Sequence, residues 1–223
     1  SQVVAAGSIW ESKYIKRNPQ RSWITYDYVI CDTCHRYHRE LSELRKEFVI
    51  CEACKGNLRS SGHRGTFIIP EFGFMTDGSN PKRVSERRPR KTYSTRAYFS
   101  GECVAEKSLG IPLSSTVILQ AESASHGKLA IINNANGQQF RVCERCGYAV
   151  PAEDTLLKNH KNAFGKNCSG SFRSYDLGHE YLTDILKLEF VGHSSNDESF
   201  WLSLLYALLD GLSTALGISR DDL

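Results

Sequence analysis

Six of the eight cysteines in this 223-residue chain fall into three C-x-x-C pairs, Cys31/Cys34, Cys51/Cys54 and Cys143/Cys146. Two thiols at that spacing come from one tight turn, which suits a soft metal ion in a reducing compartment better than a disulfide framework. A metal held this way supplies stability to a region with little core of its own. The first two pairs are separated by sixteen residues. That interval predicts a zinc-ribbon-like region in which each pair tops a hairpin and Cys31, Cys34, Cys51 and Cys54 close a tetrahedral shell. His35 and His38 stand beside Cys34, but four cysteines already fill the shell, so both read as solvated or as supports behind the sulfurs. HRELSELRKEF, between the two pairs, has enough helical periodicity to predict a short helix.

The third pair is followed by His160 after thirteen residues and by Cys168 after seven more. Cys143, Cys146, His160 and Cys168 make a second soft donor set for one tetrahedral zinc. Gly147 lets the backbone turn tightly and aim amide N–H groups at a thiolate. The alternative is a redox pair or buried thiols, with His160 and Cys168 incidental. The metal reading predicts two zinc ions per chain, both structural, because neither shell keeps an open position for water.

At 40% hydrophobic, the chain has an ordinary globular composition. Its N-terminus lacks the charged and apolar regions of a signal peptide, and no apolar run reaches the length of about 20 residues that spans a bilayer, so the expected location is cytoplasmic, without a membrane. Charge is divided unevenly. Residues 1–102 carry 18 Lys and Arg against 11 Asp and Glu, a net of +7, whereas residues 103–223 carry 10 against 14, a net of −4. The first half therefore suits an anionic partner and the second a scaffold or a protein contact.

Along the chain, SWITYDYVIC predicts a strand leading into Cys31, and Phe67 to Phe74 predicts an edge strand or a bend at Pro70. Asp77-Gly78 marks a turn. Lys82, Arg83, Arg87, Arg88, Arg90, Lys91 and Arg96 then cluster near Tyr93, Tyr98 and Phe99. Basic side chains interleaved with aromatic rings suit phosphate contact and base stacking along a single strand, and the same composition also describes a solvated linker. After Gly101, STVILQAES and KLAIINNA predict two strands joined by a turn at Ser125–Gly127, and Asn136-Gly137 turns the second into QQFRVC, completing a meander. HEYLTDILKLEF is a further strand, in which Asp184 lies among leucines and calls for a partner such as His179 or Arg173. Ser195-Asn-Asp-Glu198 has the form of a capping box opening a helix with Trp201, Leu204, Leu205, Leu208, Leu212 and Leu216 on one face and Gly217 at its end. That face should pack on the sheet, and SRDDL begins a further element, as in a fragment of a longer protein. The fold class expected is α+β, with a zinc-ribbon-like region over 1–80, a basic linker or nucleic-acid contact over 81–101 and a zinc-binding α+β domain over 102–223.

The Cys143–Cys146…Cys168 cluster, LGHEYLTDILKLEF and SFWLSLLYALLDGLSTALGISRDDL resemble the C-terminal zinc-binding domain, of MZB type, that follows the motor core in certain bacterial superfamily 2 DEAD/DEAH-box helicases and occurs in proteins of antiphage defence systems. The resemblance covers about residues 100–223, and the upstream C-x-x-C pairs with GTFIIPEFGF are similar to the region preceding that domain in some long helicase-like proteins. One helicase of the family uses four cysteines at the site, whereas here His160 is recruited as the fourth donor, with Cys103 and His179 as substitutes. The resemblance implies a non-catalytic accessory part of an ATP-driven DNA translocase, in contact with a single strand or a duplex junction. The chain contains no G-x-x-x-x-G-K-[ST] loop and no D-E-x-H box. A motor core is accordingly expected N-terminal to residue 1 or on a partner subunit.

Overall fold

A computed structural model describes residues 2–5, 8–76, 78–83, 95–101, 106–152, 159–193 and 197–219. Among them the chain is mostly sheet with one α-helix, the α+β class. The strands are β1 Gln2–Ala5, β2 Ser8–Ile15, β3 Thr25–Ile30, β4 Tyr37–Leu41, β5 Arg64–Ile68, β6 Phe74–Thr76, β7 Lys82–Arg83 and β8 Thr95–Phe99. They continue as β9 Lys107–Pro112, β10 Ile118–Asn133, β11 Phe140–Cys143, β12 Ala149–Pro151, β13 His160–Lys161, β14 Asn167–Cys168 and β15 Phe172–Val191, followed by α1 Glu198–Leu216. The chain forms two compact units, Ser1–Val104 with Ser125–Asp184, and Ala105–Ala124 with Ile185–Leu223. This division differs from the sequence segmentation at 80 and 101, because β10 and β15 each run from one unit into the other.

In the first unit, β3 pairs with β4 and β5, and β15 joins β5 in parallel through Asp176↔Phe67 and Leu177↔Ile68. Phe67 is fully buried and stacks on Tyr26 at 5.2 Å while meeting Tyr28 edge-on at 5.8 Å. Gly178 admits that ring, since a Cβ there would stand 2.3 Å from it. A second cluster of Ile15, Ile68, Val142 and Tyr175 ties β2, β5, β11 and β15 together. The apolar stretch 67–74 is split by a turn, closed by Gly73 N–H donating to Pro70 O at 2.9 Å, so β5 and β6 enter different sheets.

The connections expected from the sequence differ at three places. Residues 125–127 do not turn: β10 is continuous through His126, which takes a φ of 61°. A single residue in the left-handed region is tolerated within the strand without ending it. Nor is there a meander, because β11 pairs with β12 and β15, while β10 pairs with β8, β9 and β15. Between the two N-terminal cysteine pairs stand β4 and a 3-10 turn, Ser42–Leu44, instead of a short helix.

The second unit contains β9 paired with Ile118–Ser123 of β10, the end of β15, and α1. Asp197 caps α1 by accepting from Ser199 N–H at 2.9 Å, and Gly217 closes it with a φ of 65°. Ser195 of the expected capping box and Asp77 of the expected turn lie outside the described residues. No residue of α1 is buried, although Leu204, Leu208 and Leu212 form a half-buried stripe. Its N-terminal end meets Phe190 and His193 through Trp201 and Phe200. The sheet-packed apolar face read from the sequence is therefore only partly realised. By length and composition α1 is apolar enough to cross a bilayer, which by itself does not overturn the expectation from the sequence. A packing helix of a soluble protein meets the same criterion.

Glu180 on β15 joins three strands of the first unit. It accepts from Tyr37 Oη at 2.9 Å and Arg39 Nε at 2.6 Å, with Lys128 Nζ at 3.6 Å. Burial raises its pKa, but the Arg39 and Tyr37 hydrogen bonds and the two cations outweigh that and hold it below the usual 4.5. The folded state then binds fewer protons than the unfolded one, so this contribution to stability is complete above pH 4.5 and is lost as pH falls through the folded value. Denaturation of Glu180→Gln should show a stability deficit against the parent at neutral pH that shrinks below that point; a deficit independent of pH would contradict it.

Candidate metal centres

Each C-x-x-C pair occupies the tip of a hairpin, and the three tips share one backbone geometry. Cys31, Cys51 and Cys143 accept at their carbonyls from the N–H four residues on, at 2.8, 2.9 and 2.9 Å. Their own N–H groups donate to Arg36, Gly56 and Tyr148 carbonyls at 2.9, 2.9 and 2.8 Å. The residue after the second cysteine is left-handed each time: His35 at φ 56°, Lys55 at 62° and Gly147 at 75°. At Gly147 a side chain is excluded twice, since its Cβ would fall 2.0 Å from Ile15 O. Two hairpins extend into registered strands, Ile30↔Tyr37 and Val142↔Ala149, and the middle one is closed by an Ile50↔Asn57 bridge.

The first two tips converge. Ligand atoms of Cys31, Cys34, Cys51 and Cys54 all lie within 4.8 Å of one another. Cys31 Sγ to Cys54 Sγ is 3.5 Å and Cys34 Sγ to Cys51 Sγ is 3.6 Å. Sulfurs on a tetrahedron at a metal–sulfur distance of about 2.3 Å stand roughly 3.8 Å apart, so the set fits a thiophilic metal and not a disulfide. His38 lies behind it, Nε2 being 3.3 Å from Cys51 Sγ, where it supports the sulfur.

The third tip meets the β13–β14 hairpin, in which His160 faces Cys168 directly. Cys143, Cys146, His160 and Cys168 also lie within 4.8 Å of one another, with Cys146 Sγ to His160 Nε2 at 3.1 Å and Cys143 Sγ to Cys168 Sγ at 3.9 Å. Of the three candidates for the fourth donor, His160 is the one placed in the cluster. His179 stacks on Tyr181 at 6.0 Å, and Cys103 lies outside the described residues. The His160 imidazole is 4% exposed, stacked on Tyr148 at 5.2 Å and edge-on to Phe172 at 4.9 Å. Tyr14 holds this group from β2, its hydroxyl donating to Lys161 O at 2.9 Å.

Protonation within each set is uneven. Burial pushes Cys34 and Cys146 up to about 12, and neighbouring sulfurs add to it. Burial also works against Cys31 and Cys168, but backbone N–H groups and adjacent thiols reverse it, bringing Cys31 to about 6 and Cys168 below its usual value. Four sulfurs this close cannot all carry charge by themselves; a divalent cation in their midst would deprotonate the whole set.

Two glycines missed in the sequence belong to these centres. A Cβ on Gly170 would stand 2.6 Å from Cys143 Sγ, and one on Gly56 would stand 3.2 Å from Cys54 Sγ. The N–H of Gly56 donates to Cys54 Sγ at 3.4 Å, and that of Gly170 lowers the Cys168 thiol in the same way. The signal was C-x-G at 54–56 and 168–170.

The described basic residues are dispersed. Lys82 is exposed on β7, with Arg83 following it on the same strand, in the four-stranded sheet; Arg96 is exposed on β8 in the nine-stranded one. Arg87, Arg88, Arg90, Lys91 and Tyr93 lie outside the described residues. Asp184 is exposed, and Arg173 pairs with Glu144 at 3.1 Å. Comparison with protein-family models, with curated proteins and with solved structures gives no match.

Metal analysis after exhaustive dialysis should give about two ions per chain. Gly170→Ala, which forces a methyl against Cys143 Sγ, should bring this to about one while the Cys31 set keeps its metal. A parent content near one, or an unchanged content in the variant, would remove the second centre.

Proposed function

We propose that this chain is a zinc-stabilised, non-catalytic, nucleic-acid-associated module that serves a DEAD/DEAH-box helicase motor, in cis or on a partner subunit. Two four-donor clusters, each placed at hairpin tips with near-tetrahedral spacing, carry this reading. Thiolate with imidazole favours zinc, and paired C-x-x-C hairpins have the form of a zinc ribbon. A shell filled by four protein donors leaves no position for water or substrate, so the metals hold structure. The partner is inferred from charge and from the resemblance of residues 100–223 to the helicase-associated domain. A net of +7 over residues 1–102 favours a polyanion, and Lys82 and Arg96 stand exposed for phosphate contact.

A second reading, an assembly module within a helicase-containing repair or defence complex, draws on α1. Phe200, Trp201, Leu202, Leu205 and Tyr206 are each 39–53% exposed, an apolar surface suited to a protein partner.

Salt dependence separates the two. If Arg87, Arg88, Arg90 and Lys91 hold three or four phosphates of a single strand, log K should fall against log salt with a slope of roughly −2 to −3. Replacing Arg87, Arg88 and Arg90 together by alanine should flatten that slope and weaken every sequence alike. Tyr93→Ala should cost about 1–3 kcal/mol at an unchanged slope, as for lost stacking. Binding by the triple variant equal to the parent at all salt concentrations would leave the assembly module as the better account.

A further inference from the structure

The first unit contains a cavity of about 770 Å³ between β3, β5, β8, β15 and the turn after β10. Asp176 from β15 lies against it with 2% exposure. Its Oδ2 accepts from Tyr28 Oη at 2.7 Å, whereas Oδ1 makes no hydrogen bond among the described residues. The Gln139 side chain lies near the carboxylate without closing one to Oδ1. An unsatisfied buried carboxylate oxygen costs stability unless a ligand donates to it. Burial accordingly raises the Asp176 pKa, in spite of the Tyr28 and Gln139 contacts.

The carboxylate forms part of the cavity wall. β5 passes the carboxylate at Gly65, where a Cβ would stand 2.5 Å from Asp176 Oδ2. Asn134 and Gln139 bring amide donors and acceptors to one wall, Tyr98 brings an aromatic ring, and exposed Arg96 brings a cation to the rim. The volume is of the size that takes a small ligand. A ligand filling this set needs a planar part with N–H donors for Asp176, polar edges for the two amides and an anionic group for Arg96.

We propose that this cavity binds one nucleotide, its base donating N–H groups to Asp176 and its phosphate meeting Arg96. Guanine is the preferred base, because its imino and amino N–H groups are adjacent and match a carboxylate, while Asn134 and Gln139 can take its remaining edge. The source is either a free nucleotide or a base turned out of a single strand, and the chemistry at the cavity is the same. This site shares Arg96 with the basic residues of the proposed function but does not depend on helicase association.

Calorimetric titration of the metal-loaded chain with GMP, AMP, CMP and UMP tests it, with amide NMR shifts to locate the contact. GMP should bind more tightly than the other three and shift Gly65, Gln139 and Ser174. Asp176→Asn should weaken GMP by about 10- to 100-fold and abolish the base preference, as expected for lost charge-assisted hydrogen bonds. Arg96→Ala, an exposed change that leaves the core intact, should weaken all four nucleotides by a similar factor. Oligonucleotides containing one guanine in a thymine run separate the sources: capture from a strand requires them to compete with GMP, and a free-nucleotide site does not. The alanine triple variant at Arg87, Arg88 and Arg90 should keep GMP affinity even where strand binding is lost, so failure of the DNA-module reading leaves this result standing. No binding of any mononucleotide at millimolar concentration, shifts confined to other residues, or equal affinities for parent and Asp176→Asn would each overturn the proposal.

Discussion

Mutual repulsion among clustered thiolates is the constraint on which the first unit depends. Its three cysteine hairpins, with the β13–β14 hairpin, place seven sulfurs and one imidazole in two groups with all donor atoms of each group within 4.8 Å. Without a cation, burial and the neighbouring sulfurs keep protons on Cys34 and Cys146. With one, each group becomes a cross-link between segments distant in sequence. The first joins the β3–β4 hairpin to residues 51–54, and the second joins the β11–β12 tip to the β13–β14 hairpin. Hydrophobic burial accompanies these links, since Val29 and Leu58 are packed with Cys31 and Cys51 in one cluster. Metal and core thus stabilise the same hairpin bases.

β15 distributes that stability. Side chains alternate along a strand, so Phe172, Ser174, Asp176, Gly178 and Glu180 share one parity. Phe172 bears on His160, Ser174 and Asp176 line the cavity, Gly178 receives Phe67, and Glu180 takes Arg39 and Tyr37. One face of one strand therefore supports a metal ligand, a cavity and an ion-pair network within a single short stretch. A one-residue slip would exchange all five for Arg173, Tyr175, Leu177, His179 and Tyr181, which gives the parallel register with β5 strong specification.

Legibility in the sequence followed the range of the interaction. Ligand spacing is local, and the six cysteines of the C-x-x-C pairs are readable from residue order because that motif fixes its own turn, whereas the place beside Cys143, Cys146 and Cys168 stayed open between His160, Cys103 and His179 until the fold brought His160 there. The end of α1 was readable for the same reason, Gly217 being a local cap. Strand partners were not. Asn136-Gly137 marks a turn, as expected, but which strand β11 joins is decided by long-range packing of Val142 and Tyr175 with Ile15 and Ile68. His126 carried no warning that the strand would run on through it. Gly170 looked like an ordinary loop glycine, since its close neighbours are Cys143 and Arg145 from another segment. The same limit hid the cavity, whose walls come from several separate stretches of chain.

Two acids on β15 show how environment separates structure from function. Asp176 and Glu180 stand four residues apart, on the same parity, and both accept from a core tyrosine, Tyr28 and Tyr37. Glu180 also has Arg39 at 2.6 Å and Lys128 at 3.6 Å, and its pKa is lowered. Asp176 has no such cation among its described contacts, keeps one oxygen without a hydrogen bond, and its pKa is raised. Charge compensation explains the difference, because burial raises both and only paired positive charge reverses it. A carboxylate fully satisfied by its own protein cross-links strands. One left incomplete beside a cavity is a cost of folding that a donor filling the cavity would offset.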